Sequence, residues 1–219
     1  RVVCRKLGLA TREADLTEWK AMVDRTSRAT RQLKIALVGK YTALQDSYLS
    51  VIEALSHAGT ENDVQISIQW IDSQQVSDET ADSLLSGCQG ILVPGGFGDR
   101  GVEGMITAIR YARDHRIPFF GICLGMQMSV IEFARHIAGL SGAHSSEFDE
   151  RTAYPVIDLM PDQREIQQLG GSMRLGKYPC HLLEGSLSAQ AYGTLQISER
   201  HRHRYEFSNS FRDSLERAG

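Results

Sequence analysis

Between residues 33 and 139 the chain alternates uninterrupted apolar stretches with amphipathic ones, and this alternation restricts its fold more than any other feature. "LKIALVGK" opens at Leu33 as a buried strand, "SYLSVIEALSHAG" follows as a helix closed by Gly59, and "VQISIQWI" and "GILVPGG" read as the second and third strands. "EGMITAIRYARDH" then gives a helix, "IPFFGI" a strand, and "GMQMSVIEFARHIAG" a helix ending at Gly139. Strands that are apolar throughout are buried on both faces, which requires helices above and below a parallel sheet. The expected class is therefore α/β, an open, mostly parallel sheet with helices on both faces. After Gly139 the pattern breaks into shorter strands and loops.

In such sheets ligands sit beyond the carboxyl ends of the strands. Two of those ends are unusual: "PGGFG" after Val93 and "GICLG" after Phe120. In "FFGICLGMQ" (residues 119–127) a strand from Pro118 to Ile122 meets a tight turn at Cys123 and a helix starting near Leu124. That is a nucleophile elbow written G-x-C-x-G. The helix directs its partial positive charge and free N–H groups at the sulfur, which favours thiolate over thiol. A thiolate attacking a carbonyl creates an oxyanion, which needs two backbone donors about 3 Å away. The Leu124 N–H is one candidate. The "PGGFG" turn supplies the other, since Gly95 and Gly96 let the backbone approach without side-chain obstruction. A glycine pair alone is an ordinary turn; two glycine-rich strand ends in one sheet, one bearing a cysteine, point to acyl transfer at a thiol. Cys4, Cys88 and Cys180 read as inert buried residues.

Composition sets the outer bounds. With 219 residues, 42% of them hydrophobic, the chain can build one full core, and a formal net charge of −3 argues against nucleic acid or a membrane surface as partner. No apolar run approaches the roughly 18 residues that span a bilayer, and "RVVCRKLGLA" lacks a secretory pattern, so a cytoplasmic protein is expected. The four cysteines are scattered, with no Cys/His cluster at metal spacing, so reduced thiols are expected and no metal site.

Residues 1–32 read as an attachment. "DLTEWKAMVDR" carries Asp15 and, three residues on, Glu18 as a capping signature, with Leu16, Trp19, Met22 and Val23 on one face of a short amphipathic helix. Residues 26–32, "TSRATRQ", read as a polar linker. The chain opens in mid-pattern and stops at "LERAG", as an excised domain would.

At this point the text resembles a known family. "GICLGMQ", "ILVPGGFGDRGVEG", "SSEFD", "YPVIDLMPDQ", "GGSMRLGKYPC" and "ISERHRHRYEF" are similar to the glutamine amidotransferase domain of the CTP synthases, a class I, triad-type glutaminase of flavodoxin-like architecture. "GICLGMQ" points to class I amidotransferases, and "GFGDRGVEG" with "RHRHRYE" narrows the resemblance to CTP synthases. It covers residues 33–219 and makes residues 1–32 the tail of an ammonia-ligase domain plus linker.

The resemblance implies that Cys123 attacks the side-chain amide of L-glutamine, forming a γ-glutamyl thioester and ammonia, after which water releases glutamate. Gly96 and Leu124 would form the oxyanion hole. Gln127 and Glu147 would hold the substrate α-amino group, and Arg204 its α-carboxylate. Arg100, Gly101 and Glu103 would belong to a lid connected with activation by GTP. In the whole enzyme, expected to be a homo-oligomer (tetramer), ammonia would aminate UTP with ATP and Mg2+ at a ligase site outside this chain; no cofactor is expected within it. One feature departs from the family. Its triad is completed by His-Pro-Glu after the "RHRHRYE" segment, and this chain contains none. Its seven histidines, at positions 57, 115, 136, 144, 181, 201 and 203, include no His-x-Glu, so negligible glutamine turnover by residues 1–219 alone is expected.

Other readings stay open at this level. "ERHRHRYEF" could contact phosphates, but it forms no extended basic patch in an acidic chain. A cysteine elbow also serves peptidases and redox stress proteins of the same fold, which have no need of Gln127, Glu147 and Arg204 together. A non-catalytic assembly module of a larger synthetase is the third alternative.

Overall fold

The structure, a computed structural model, describes residues 2–10, 13–159 and 174–219. The ends of the motifs "YPVIDLMPDQ" and the start of "GGSMRLGKYPC" lie outside the described residues. Four parallel strands make the central sheet: β1 (Arg31–Gly39), β2 (Val64–Asp72), β3 (Gly90–Val93) and β4 (Phe119–Gly121), in the order β2-β1-β3-β4. The connections are helices, α3 (Leu49–Glu61), α4 (Ala81–Leu85) and α5 (Val102–Asp114), and β4 runs on into α6 (Leu124–His136). Two short helices, α1 (Val2–Lys6) and α2 (Thr17–Arg28), precede the sheet.

Strand periodicity sorts the core into two layers. Ala36 and Val38 of β1, with Ile91 and Val93 of β3, face α5 and α6 and pack on Met105, Ile109, Met128 and Ile131. Leu37 and Leu92 face the other way, onto Tyr48 and the α3 residues Val51 and Leu55. Helices thus cover both faces, as the apolar strands demand. The exception is the edge strand β4, where Phe119 packs inward but Phe120 is 63% exposed.

Beyond α6 the chain builds two smaller sheets. β5 (Ala143–Ser145), β6 (Tyr154–Leu159) and β9 (Tyr205–Phe207) form one, with β5–β6 parallel and β6–β9 antiparallel. β7 (Arg174–His181) and β8 (Gln196–His203) form an antiparallel pair. Only Arg204 separates β8 from β9, so the chain changes sheets at that residue.

Local expectations need four corrections. Residues 26–32 are not a linker: Thr26–Arg28 complete α2, and Arg31 and Gln32 open β1, paired with Val64 and Gln65 of β2, which leaves Ala29 and Thr30 between the two elements. α3 does not close at Gly59 but runs to Glu61. A Cβ at Gly59 would stand 2.7 Å from the Val64 carbonyl oxygen, so this glycine admits close helix–strand packing instead of ending the helix. Asp15 does not cap by partnering Glu18: its carboxylate accepts the Thr17 N–H (3.0 Å) and hydroxyl (2.6 Å), and α2 starts only at Thr17. Asp15 sits one residue too early and makes a local turn. Finally, of the three cysteines read as buried, only Cys88 is; Cys4 is half-buried, and Cys180, on the two-stranded β7–β8 pair, is exposed.

The tightest helix–loop contact is at Gly104 in α5, where a Cβ would lie 1.8 Å from the Ser73 carbonyl oxygen. Alanine has a helix propensity better than glycine's by about 1 kcal/mol, yet overpacking against backbone costs about 1–3 kcal/mol. Gly104→Ala is expected to lower the urea midpoint despite its better propensity, by up to about 2 kcal/mol net; a raised midpoint would show that α5 and residues 73–76 separate freely.

Candidate active site

The carboxyl ends of β3 and β4 meet the first turn of α6, and glycines decide how closely. A Cβ at Gly125 would lie 1.9 Å from the Val93 carbonyl oxygen, and one at Gly121 would lie 2.6 Å from the Gly125 carbonyl carbon. The two glycines of G-x-C-x-G therefore interlock, helix start on strand end. Cys123 between them takes φ 55° and ψ −108°, a conformation that costs a non-glycine residue about 1–3 kcal/mol. The Ile122 N–H donates to the Val93 carbonyl (2.9 Å), and the Gln127 N–H donates to the Cys123 carbonyl (3.1 Å), which hold the turn on either side. This is the elbow expected from the sequence, and it presents the thiol beyond the sheet.

The "PGGFG" turn lies directly against it. A Cβ at Gly95 would stand 3.3 Å from the Cys123 Cβ and 3.7 Å from its Sγ, and one at Gly96 would meet Leu124 at 3.4 Å. The Leu124 N–H favours the ionised form of the Cys123 sulfur. Of the two residues expected to supply oxyanion donors, Gly96 lies beside the Leu124 side chain and lines the same cavity as Cys123, and Leu124 directly follows the thiol in the chain.

Cys123, Gly96, Gln127, Glu147 and Arg204 line one cavity of about 190 Å3, together with Phe97 and the 202–205 segment. Cys123 and Gln127 arrive on the start of α6, and the other three on separate segments. Gln127 is on the buried face of α6, and its Nε2 donates to the Tyr205 carbonyl (2.7 Å), tying α6 to the strand that follows Arg204. Glu147 follows β5, its N–H donating to Ser145 Oγ (3.2 Å). Larger depressions exist elsewhere, including one of about 570 Å3 lined by Ile109, Phe119, Phe133 and Leu215, but no cysteine lines it, and the hydroxyl of its Ser129 is engaged with the Met126 carbonyl.

The electrostatics differ from expectation at the thiol. Burial pushes the Cys123 pKa up, the Glu147 carboxylate pushes it further, and the Leu124 N–H opposes both. The expected preference for thiolate is overturned: the helix N-terminus is present, but desolvation outweighs it. Burial likewise raises Glu147, against the attraction of Lys40 and Arg204.

Arg100, Gly101 and Glu103 are placed outside this cavity's lining. Arg100 donates to the Lys40 carbonyl and to Gln74 Oε1, and Gly101 precedes α5 with φ 72° against Ser73. Glu103, in the first turn of α5, accepts two bonds from Arg135 (2.8 and 3.0 Å). Sequence reasoning missed Lys40 and Tyr41, whereas His203 belongs to the "ERHRHRYEF" motif read as substrate-binding. Among the described residues His203 is the histidine lining the cavity; burial lowers its pKa, and its Nδ1 is buried without a partner. Lys40 was legible only as the residue just past the carboxyl end of β1, where ligands of parallel sheets collect.

The family profile "Glutamine amidotransferase class-I" matches residues 43–218. The chain is 58% identical over its whole length to a protein named CTP synthase from Geobacillus kaustophilus (strain HTA426) and 56% identical to one from Clostridium perfringens. It spans about two fifths (41%) of the length of each. A solved structure, the glutaminase domain of Trypanosoma brucei CTPS with bound acivicin, superposes with a TM-score of 0.79 at 39% identity, covering 85% of this chain and 72% of that one. With a cysteine elbow at the carboxyl end of a parallel sheet and a family match across 43–218, the chain belongs to the class I glutamine amidotransferases, as a glutaminase domain of the CTP synthase type.

Proposed function

We propose that this chain hydrolyses L-glutamine at Cys123 and passes the ammonia on within a larger CTP synthase. The convergence of Cys123, Gly96, Gln127, Glu147 and Arg204 on one small cavity carries this reading. The Arg204 guanidinium takes the α-carboxylate, Glu147 and Gln127 take the α-ammonium, and the side-chain amide reaches the sulfur. The thiolate adds to the amide carbon, forming a C–S bond and moving the carbonyl electron pair onto oxygen, where the N–H groups of Gly96 and Leu124 receive it. Collapse breaks the C–N bond, and the nitrogen leaves as ammonia once protonated. Water then displaces the thiol and frees glutamate.

The raised thiol pKa fits this scheme. In the empty site the Glu147 carboxylate opposes ionisation of Cys123. A substrate ammonium seated on Glu147 offsets that negative charge, so the nucleophile ionises more readily when substrate is present. The same placement protects the thiol from unproductive electrophiles.

The acid and base for the leaving ammonia and the incoming water are assigned to a His-Pro-Glu segment of the whole protein, outside residues 1–219. Residues 1–32 then serve as ligase tail and linker, and 33–219 as the glutaminase part. UTP and ATP are substrates of the ligase part, GTP acts through the segment bearing Arg100, Gly101 and Glu103, and the whole enzyme assembles as a tetramer in the cytoplasm. The described residues contain no cluster of three or more His, Cys, Asp or Glu side chains that would hold Mg2+, and no step above runs through ATP or the metal.

Three outcomes test this. In the full-length protein Cys123→Ala should abolish glutamate release, whereas His203→Ala should leave a measurable rate; loss of turnover in His203→Ala with glutamine affinity intact would make His203 the base. Arg204→Lys should raise KM for glutamine about 10- to 100-fold, because a point charge cannot reproduce two parallel bonds each worth about 1.5–3 kcal/mol. Synthesis fed with free ammonia should survive that change, and an equal loss with both nitrogen sources would reassign Arg204 to structure. Burial is the main cause of the raised thiol pKa and the Glu147 carboxylate adds to it, so in Glu147→Gln labelling of Cys123 by iodoacetamide at neutral pH should accelerate modestly while glutamine binding weakens. Since the Glu147 pKa is itself raised, KM in the unsubstituted enzyme should climb as pH falls, beginning above the ordinary glutamate range.

A further inference from the structure

Lys40 is 3% exposed, an unusual state for a lysine. Its Nζ donates to the carbonyls of Phe97 (3.3 Å) and Gly98, and its side chain passes the place where a Cβ on Gly96 would lie, 3.2 Å from Lys40 Cδ. The neighbouring Tyr41 grips the same turn from the other polarity, its hydroxyl accepting the Phe97 N–H (3.3 Å). Arg100 closes the ring by donating to the Lys40 carbonyl. A turn rich in glycine has little stiffness of its own, yet an oxyanion donor works only if it is fixed before the charge appears. The rigidity must come from outside the turn, and among the described residues the side chains that hydrogen-bond its backbone are those of Lys40 and Tyr41, just past the end of β1.

We propose that Lys40 is a positioning residue of the thiol site: by binding the carbonyls of Phe97 and Gly98 it holds the turn so that the Gly96 N–H faces the oxyanion formed at Cys123. The inference rests on the glutaminase reading above and adds to it the device that keeps the second donor in place. Burial and the Arg100 guanidinium lower the Lys40 pKa while Asp99 and Glu147 support its charge, which is the balance of a cation held for structure in a site shared with other charges. No atom of Lys40 needs to touch the reacting amide. Its effect passes through the peptide between Gly96 and Phe97.

The test separates positioning from general loss of structure by comparing two reagents on Cys123 in the full-length protein. The chloroketone analogue of glutamine is attacked at its carbonyl carbon, passes through an oxyanion and then loses chloride as the thioether forms. Iodoacetamide reacts by direct displacement of iodide and forms no oxyanion. Modification is read by mass spectrometry of the Cys123 peptide, since Cys180 is exposed and labels independently. Lys40→Met should slow the chloroketone reaction at saturating reagent about 10- to 100-fold, toward the loss seen when an oxyanion donor is removed. The iodoacetamide rate should stay within about twofold, and kcat for glutamine should fall in parallel with the chloroketone rate. Tyr41→Phe, a smaller change that keeps the fold if Lys40→Met does not, should show the same selective loss to a lesser degree. Equal slowing of both reagents, or of neither, in whichever variant folds would overturn the role of Lys40. If the unsubstituted protein shows no preference for the chloroketone at all, the glutaminase reading falls first and this inference with it.

Discussion

The site depends on one contact, between the first turn of α6 and the end of β3, where Gly125 sits on the Val93 carbonyl with no room for a Cβ. Everything chemical follows from how close that contact is. It forces Cys123 into a positive-φ turn, places the Leu124 N–H where it favours the ionised thiol, and leaves the Gly95 backbone so close that a Cβ there would meet the Cys123 side chain. The backbone strain at Cys123 is offset by two hydrogen bonds on its flanks and by burial of Leu124, Met128 and Ile131 beneath the turn. A larger residue at either glycine would push the helix away from the sheet and leave the thiol without its donors.

A second constraint comes from combining two small sheets with the central one. Cys123 stands at the carboxyl end of the parallel sheet, whereas Glu147, in the turn after β5, and Arg204, between β8 and β9, come from the chain beyond α6. The bond from Gln127 to the Tyr205 carbonyl joins these units through a side chain that also lines the cavity. Arg204 occupies the single residue between β8 and β9, where neither ladder claims its position. A residue at a sheet crossing is positioned by both pairings at once, which would suit the planar fork of an arginine to the carboxylate role proposed for it.

How much was legible in the sequence follows from the range over which each interaction acts. The apolar strands and the glycines of "GICLG" announce short-range packing, so the sheet and the elbow could be read directly. The continuation of α3 through Gly59 could not, because the reason for that glycine is the Val64 carbonyl on the next strand. Exposure of Cys180 and Phe120 reflects which faces of β7 and β4 remain uncovered, a property of tertiary assembly. The thiol pKa failed for a similar reason: a helix N-terminus is visible in a sequence, but the desolvation and the Glu147 carboxylate that outweigh it are brought by distant segments.

Lys40 shows the same limit from the side of charge. In sequence it is a polar residue ending a strand, where solvent exposure would be ordinary. In the fold its stem follows the Gly96 turn and its ammonium ends on two backbone carbonyls. Glu147 feels it as one of two cations opposing its own desolvation, the other being Arg204. The cavity therefore joins a carboxylate balanced between burial and two positive charges to a thiol whose ionisation burial and that carboxylate both oppose. On the proposed reading, a substrate ammonium seated on Glu147 would relieve the burial of the carboxylate and its opposition to the thiolate together, so that charge at one wall of the cavity is tied to reactivity at the other.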